Sequence, residues 1–318
     1  MRVVISEWID EQALPVLRSI AEVTYQSDLY LSPERLRDYV IEADALIVRN
    51  QTRVDEWLLS RAKRLKVIGR LGVGLNNLDL AALAKRNITA VYAPDAATHS
   101  VAEHCIALML ALVRHLPQAL HMGRSTQWRR EQLLGLDLQG KRLGLIGFGR
   151  IARRLAVLAQ GFGMQVHAWS PGLLSGKREP IVGVRVSSFP DVLEQSHIVS
   201  LHLPLTESTF GLMNREAFFR MPRGAYFINT SRGEIVDENA LAEALTSGWL
   251  AGAALDVRAE EPPKADSILN RLPNCLLTPH MAAMTHESQL RCSMEVAHDV
   301  ARVLTGKAPR SPVTLERT

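Results

Sequence analysis

The side chains best equipped for chemistry are scattered through the second half of this chain: Thr230-Ser231-Arg232-Gly233, Asp256, Glu261 and His280. An arginine can grip a carboxylate with two parallel hydrogen bonds while polarising a neighbouring carbonyl. An imidazole titrates near neutral pH, so it can give a proton to a nascent alkoxide or take one back. A carboxylate beside that imidazole orients it and favours its charged form. Reduction of a 2-keto acid needs these residue types. Singly, each has a plainer reading: an arginine is a solvated charge, Asp-x-x-x-x-Glu-Pro is a turn, and a lone histidine sits in a turn or a core. His99, His104, His115, His121, His167, His197, His286 and His298 keep that plain reading. Arg232, Glu261 and His280 rise above it because they follow apolar, strand-like runs that end at Asn229, Leu255 and Leu277. His202 and Pro204 follow another such run, 198–201.

A second group suits phosphate rather than proton transfer. Gly147-Phe148-Gly149-Arg150-Ile151-Ala152 matches G-x-G-x-x-[G/A] and directly follows the apolar run 142–146. Gly147 permits a tight turn, Gly149 lets the backbone approach a pyrophosphate, and Ala152 allows close packing of helix on sheet. Ile151, Leu155, Leu158, Ala159 and Phe162 then recur at helical spacing, Gly161 and Gly163 close the helix, and 165–169 reads as the next strand. Strand, turn, helix and strand in that order are the context a dinucleotide site requires. An acidic residue usually ends the second strand and holds the ribose 2′-hydroxyl. Ser170 stands there instead, and Lys177 and Arg178 lie downstream, so both NAD and NADP stay open as cofactors.

The elements that must position these groups alternate. The run 3–6 is a strand, 10–20 an amphipathic helix, and Ser32-Pro33 a helix start with Ser32 as cap. Strands at 45–48, 66–69 and 88–92 alternate with helices at 55–62 and 79–86, completing a βα unit of about 95 residues. Ser100 and Glu103 form a capping box before a helix apolar nearly all round, to be buried between domains or subunits and ended by Pro117. Residues 124–138 read as an arm. Later strands are expected at 198–201, 225–229 and 252–255, with a helix capped by Asp237 and stopped by Gly248, and a last helix over 285–305 that crosses back to the first unit. The fold class expected is α/β, with doubly wound parallel sheets.

A chain of 318 residues can form two full domains. Its 37 basic and 33 acidic residues leave a net charge of +4 without a dense basic run, so no nucleic-acid partner is expected. The amino terminus lacks a signal-peptide pattern and the longest apolar run, 106–113, is too short to cross a membrane. Cys105, Cys275 and Cys292 are odd in number and lack C-x-x-C spacing, which suits a reducing cytoplasm and argues against disulfides or a bound metal.

With these residues in view, the chain resembles the D-isomer-specific 2-hydroxyacid dehydrogenases along nearly its whole length. The carriers are Gly69-Arg70-Leu71-Gly72-Val73-Gly74-Leu75-Asn76-Asn77-Leu78-Asp79, Ser100-Val101-Ala102-Glu103-His104 and the glycine-rich turn. Asn229-Thr230-Ser231-Arg232-Gly233, Ala254-Leu255-Asp256-Val257 with Glu261-Pro262, and Leu277-Thr278-Pro279-His280 follow in order. The resemblance implies two Rossmann-like domains. Residues 1–97 plus 286–318 would form a discontinuous substrate-binding domain, 98–285 an NAD(P)-binding one, with hinges near Ala97 and Thr285.

It also implies roles. Arg232 would bind the substrate carboxylate and keto oxygen, His280 would be the acid/base and Glu261 its partner. Val73 and Gly74 would offer backbone N–H groups to the carboxylate. Gly147, Gly149, Arg150, Ile151, Ser170, His202, Pro204, Thr230, Ser231, Asp256, His280 and Ala282 would line the cofactor. The pocket for the substrate's remaining group would come from loops near Trp8, Gln51, Arg70 and Leu71. The reaction implied interconverts a small anionic 2-keto acid and its D-2-hydroxy acid, simple, phosphorylated or sulfonated, in a homodimer built on the helix after Ser100. Departures are Asn76 for a frequent Asp, Ser170 for the acidic ribose ligand, Arg258 for a frequent aromatic, and Met281-Ala282-Ala283 for a Gly-containing run. The rival class is a non-enzymatic NAD(H)-binding protein of the corepressor type.

Overall fold

The structure, a computed structural model, describes residues 1–126 and 128–314; residue 127 of the expected arm and 315–318 of the expected substrate domain lie outside the described residues. The chain forms two compact units, Met1–Ala97 with Ala283–Thr318, and Thr98–Ala282.

The first unit begins β1 (Arg2–Ile5), α1 (Leu14–Arg18), β2 (Glu22–Tyr25), α2 (Pro33–Tyr39), β3 (Ala45–Val48), α3 (Glu56–Leu59), β4 (Val67–Arg70), α4 (Leu80–Lys85) and β5 (Thr89–Tyr92). Its sheet runs β2-β1-β3-β4-β5, every neighbouring pair parallel. All four residues of β3 are buried, as expected of a central strand covered on both faces. The helix expected over 10–20 is broken. A 3-10 turn, Glu11–Ala13, is capped by Asp10, and α1 restarts with Pro15 in its first turn, where a missing N–H costs nothing. Ser32 precedes α2 but its side chain makes no cap hydrogen bond. The half-exposed edge strand β2 was not anticipated, because its pattern lacks a continuous apolar run.

The second unit comprises α5 (Thr98–Val113), α6 (Leu116–Met122), β6 (Arg142–Ile146), α7 (Arg150–Gly161), β7 (Gln165–Trp169), α8 (Pro171–Leu174), β8 (Val184–Val186), α9 (Phe189–Gln195), β9 (Ile198–Leu201), α10 (Arg215–Arg220), β10 (Tyr226–Asn229), α11 (Glu238–Thr246), β11 (Gly252–Leu255) and β12 (Cys275–Leu277). Its sheet order is β12-β11-β10-β9-β6-β7-β8, again all parallel. β6 lies between β7 and β9, so the strand order reverses there and opens a crevice at its carboxyl end. Both sheets are therefore Rossmann-like.

Three expectations about helices fail. α5 starts at Thr98, so Ser100 lies buried inside it and the capping box with the exposed Glu103 does not form. Pro117 does not end α5; the chain breaks at His115, whose φ is 50°, and Pro117 occupies the first turn of α6. Phe162 is the exposed C-cap of α7, not part of its buried stripe. Asp237 does cap α11, accepting from the Asn239 and Ala240 N–H groups, and Gly248 follows it at φ 66°.

The last helix, α12 (His286–Leu304), is capped by Thr285 and belongs to the first unit. It lies against β4 so closely that a Cβ on Gly69 would stand 2.7 Å from Val296 and 2.8 Å from Val300. Among the described residues no single helix is long and apolar enough to cross a membrane.

Candidate active site

The parallel strands of the second unit bring the carboxyl ends of β6, β7 and β9 to β12 to one edge. At β6 the chain leaves the sheet through Gly147, whose φ is 94° and whose N–H donates to the Trp169 carbonyl at 2.8 Å. A Cβ on Gly147 would stand 2.5 Å from the His202 carbonyl oxygen, so the turn needs glycine for space as well as for φ. Gly149 is the N-cap of α7 and a Cβ there would meet nothing within 4 Å. No side chain caps α7. An open approach to an uncapped twelve-residue helix fits a pyrophosphate, because first-turn N–H groups and the helix dipole both favour an anion. Ala152 is fully buried, as close packing on the sheet demands, whereas Arg150 is exposed and Ile151 half-buried.

His202 closes the other side of the turn. Its N–H donates to the Ile146 carbonyl at 2.7 Å and its Nε2 lies 2.9 Å from the Ser200 hydroxyl. Burial pushes its imidazole down to about 4, so it is neutral near pH 7. Pro204 is exposed, its carbonyl accepting from the Thr209 hydroxyl. Ser170 is buried, its hydroxyl accepting from the Leu173 N–H at 3.2 Å as the cap of α8. Among the charged groups that reach the turn is Arg178. Its side chain lies along Gly172 and its guanidinium donates to the Phe148 carbonyl at 3.4 Å.

Of the three residues singled out for proton and carboxylate chemistry, Glu261 and His280 pair directly, and the Arg232 guanidinium feels the Glu261 charge. Glu261 Oε2 lies 2.7 Å from His280 Nδ1, and Glu261 Oε1 accepts the Arg258 N–H at 3.0 Å, so both carboxylate oxygens are held. With Glu261 ionised, Nδ1–H donates to it and Nε2 is the nitrogen left to face a reactant. Arg232 follows β10 on a loop tied by Asn229, which accepts from the Ser231 N–H and hydroxyl and donates to the Arg232 carbonyl. Burial pulls the Arg232 guanidinium below its ordinary range, opposed by the nearby charges of Glu234 and Glu261. A guanidinium stripped of water in this way binds an anion more strongly than a solvated one.

Asp256 sets the His280 loop. It is almost fully buried and accepts from the Thr278 hydroxyl at 2.6 Å and the Met281 and Ala282 N–H groups at 2.9 and 2.8 Å. His280 itself donates its N–H to the Asp256 carbonyl and sits at φ 51°. Burial raises the Asp256 carboxyl, but the nearby His104 and hydrogen bonds from Thr278 and the two backbone groups outweigh it and hold it below its ordinary value. His104, set aside from sequence as a plain histidine, lies on α5 with Nε2 3.6 Å from Asp256 Oδ1. Several expected cofactor residues are thus engaged within the protein: Asp256 by the 278–282 loop, Ser231 by Asn229, and Thr230 through its hydroxyl 3.2 Å from Cys105 Sγ on α5. Arg258 and Asn229 were not singled out for this site; the signal for Asn229 was an amide closing an otherwise apolar strand.

In the first unit, Arg49, Arg70 and Glu7 stand at the carboxyl ends of β3, β4 and β1. Glu7 is buried and accepts the N–H groups of Arg49, Gln51 and Thr52. Arg70 folds over Gly72, donating to the Leu71 carbonyl, and Arg49 lies over the Trp8 ring at 5.3 Å. Gly72 has φ 137°, Val73 is exposed and Gly74 half-buried. Leu71, expected in a pocket loop, is a buried core residue. Both guanidinium charges reach Cys292 on α12, where they oppose the burial that pushes its thiol up to about 11.

Residues 106–282 match the family model described as D-isomer specific 2-hydroxyacid dehydrogenase, NAD binding domain. The chain is similar to a D-3-phosphoglycerate dehydrogenase of Archaeoglobus fulgidus, 40% identical over 316 residues, covering 99% of this chain and 59% of that one. It is 42% identical over 306 residues to an (S)-sulfolactate dehydrogenase of Chromohalobacter salexigens, covering 96% of this chain and 99% of that one. The solved structure of a Thermus thermophilus protein matches with a TM-score of 0.91 and 38% identity, covering 99% of this chain and 100% of that one. The chain spans somewhat under three-fifths of the length of several phosphoglycerate dehydrogenases it matches, 59% for that of Bacillus subtilis.

Proposed function

The chain belongs to the D-isomer specific 2-hydroxyacid dehydrogenases, and we propose that it interconverts a small 2-keto acid and its D-2-hydroxy acid. The observation that carries this reading is the Glu261–His280 pair at 2.7 Å, within reach of Arg232's charge, in the unit that holds the glycine-rich turn. Gly147, Gly149 and the first turn of α7 would hold the cofactor pyrophosphate. A bound nicotinamide supplies the hydride to the keto carbon, or accepts it in the reverse direction.

The protein's own groups do the rest. Arg232 grips the carboxylate and draws electron density from the keto oxygen, a role for which its partial desolvation suits it. His280 holds a proton at Nε2 and passes it to that oxygen as the carbonyl bond becomes single. Glu261, fixed through both oxygens, keeps the imidazole in the tautomer that presents Nε2. Asp256 acts by organising the 278–282 backbone.

Two refinements have support. The relatives named above act on a phosphorylated and a sulfonated hydroxy acid; the substrate is accordingly read as carrying a second anion. Ser170 in place of an acid, with Arg178 beside the turn, favours acceptance of NADP(H) as well as NAD(H). The three cysteines are free and buried, which accords with a cytoplasmic setting. The corepressor-like alternative is not favoured, since the relatives are named dehydrogenases.

Turnover of a panel of plain, phosphorylated and sulfonated 2-keto acids with NADH and NADPH tests the reading. Arg232→Ala and His280→Ala are each expected to lower kcat/KM about 100- to 10,000-fold while the fold persists. Wild-type rates in either variant would end it.

A further inference from the structure

We infer that Arg258 is a positioning residue: its guanidinium fixes the stretch of backbone against which both the Glu261 carboxylate and the Arg232 loop are set. This rests on the dehydrogenase reading for its kinetic consequence, but the clamp itself is a matter of geometry.

Arg258 follows β11 by three residues and opens the loop that carries Glu261. It is buried, whereas every residue over 259–266 is exposed, so the loop has no apolar anchor of its own. Its side chain supplies one. Nε and Nη2 form a two-pronged contact with Glu238 at 3.0 and 2.9 Å, Nη2 also donates to the Ser267 hydroxyl at 2.8 Å, and Nη1 donates to Asn270 Oδ1 at 3.1 Å. Asn270 in turn donates to the Lys264 carbonyl. One guanidinium therefore ties the start of the loop to its far end and to the first turn of α11. Glu238 completes the grip by accepting the Ala259 N–H at 3.0 Å. A planar, fork-shaped cation can satisfy these acceptors together; a lysine ammonium can reach only some of them.

The backbone of Arg258 faces the reacting groups through both of its peptide groups. Its N–H donates to Glu261 Oε1, leaving Oε2 for His280. Its carbonyl lies against Gly233, where a Cβ would overlap both the carbon and the oxygen of the Arg258 carbonyl. Gly233 is next to Arg232. Movement at Arg258 would therefore displace the carboxylate that orients the imidazole and loosen the support of the arginine loop. Misplacement by about 1 Å can cost a reaction about 100-fold.

The test compares wild type, Arg258→Lys, Arg258→Met, Glu238→Gln and Glu261→Gln, each checked for folding by its thermal melt. Three readouts are taken: kcat and KM, the pH profile of kcat/KM, and the His280 ring N–H signals by ¹⁵N-resolved NMR. The expected result is a fall in kcat of about 10-fold or more in Arg258→Met, with cofactor affinity within about twofold of wild type. Its pH profile should move toward that of Glu261→Gln, and the hydrogen-bonded Nδ1–H signal should be lost in both. Arg258→Lys should restore part of each effect, and combined with Glu261→Gln it should add little, because both act through one contact. Should Arg258→Met fail to fold, Arg258→Lys and Glu238→Gln carry the comparison. A wild-type pH profile and an intact Nδ1–H signal in folded variants would overturn the clamp. Failure of wild type to reduce any keto acid would instead remove the dehydrogenase reading, and the NMR signal would still decide the clamp.

Discussion

At the scale of single residues, the cofactor end of the site turns on an exchange of charge. Most NAD sites end the second strand with a carboxylate that bonds the ribose and repels a 2′-phosphate. Here Ser170 caps α8 with its hydroxyl, and the Arg178 guanidinium donates to the Phe148 carbonyl. Arg178→Ala should raise KM for NADPH about 10-fold or more, roughly the loss of one charge-assisted contact of about 1.5–3 kcal/mol. KM for NADH should stay within about twofold. Equal changes for both cofactors would remove Arg178 from any selective role. Much of this chemistry was legible from residue type and place, since Arg232, Glu261 and His280 each follow a strand. The partners of Asp256, Thr230 and Ser231 were not, because Asp256 meets the 278–282 loop and Thr230 meets Cys105 on α5 only once the chain has folded, and Ser231 meets Asn229 only through the turn they share.

At the scale of elements, the turn from β6 into α7 is held by sterics and by a neutral histidine. His202 has a folded pKa of about 4 against an ordinary value near 6.5, so the unfolded chain binds the extra proton between those limits. Its contribution to stability is therefore complete above about pH 6.5 and falls as the pH drops toward 4, with a slope of at most about 1.4 kcal/mol per pH unit. Thermal melts of wild type from pH 7.5 to 5 should show that decline, and His202→Gln should flatten part of it. An unchanged slope would mean His202 is more hydrated than its surroundings indicate. The long helix teaches a different lesson. Ser100 and Glu103 carry the spacing of a capping box, yet α5 begins at Thr98, and Pro117 opens α6 instead of closing α5. Local signals mark where a helix can begin or end; packing along its length decides which mark is used.

At the scale of the whole molecule, surface left uncovered in the second unit bears on assembly. α6 packs with the 3-10 turn Arg130–Leu133, while Leu120 at 64%, Trp128 at 74% and Leu134 at 87% remain exposed. Large apolar side chains grouped in sequence and exposed to this degree commonly mark a contact with another chain. A homodimer is the expected state, and light scattering should give twice the chain mass for wild type and a lower mass for Leu120→Glu combined with Trp128→Ser. A wild-type mass of one chain would refute it.

What the amino-acid order determined by itself was the alternation of buried strands and amphipathic helices, the glycine-rich turn and the three residue types needed for the proton and carboxylate chemistry. These are short-range properties, fixed by side-chain period, by glycine's backbone freedom and by chemical identity. The pairing of Glu261 with His280, the anchoring of an exposed loop by Arg258 and the closing of α12 over Gly69 were decided only in the tertiary structure. Each joins segments far apart in the chain, and such contacts form where sheet order and packing bring the segments to one place.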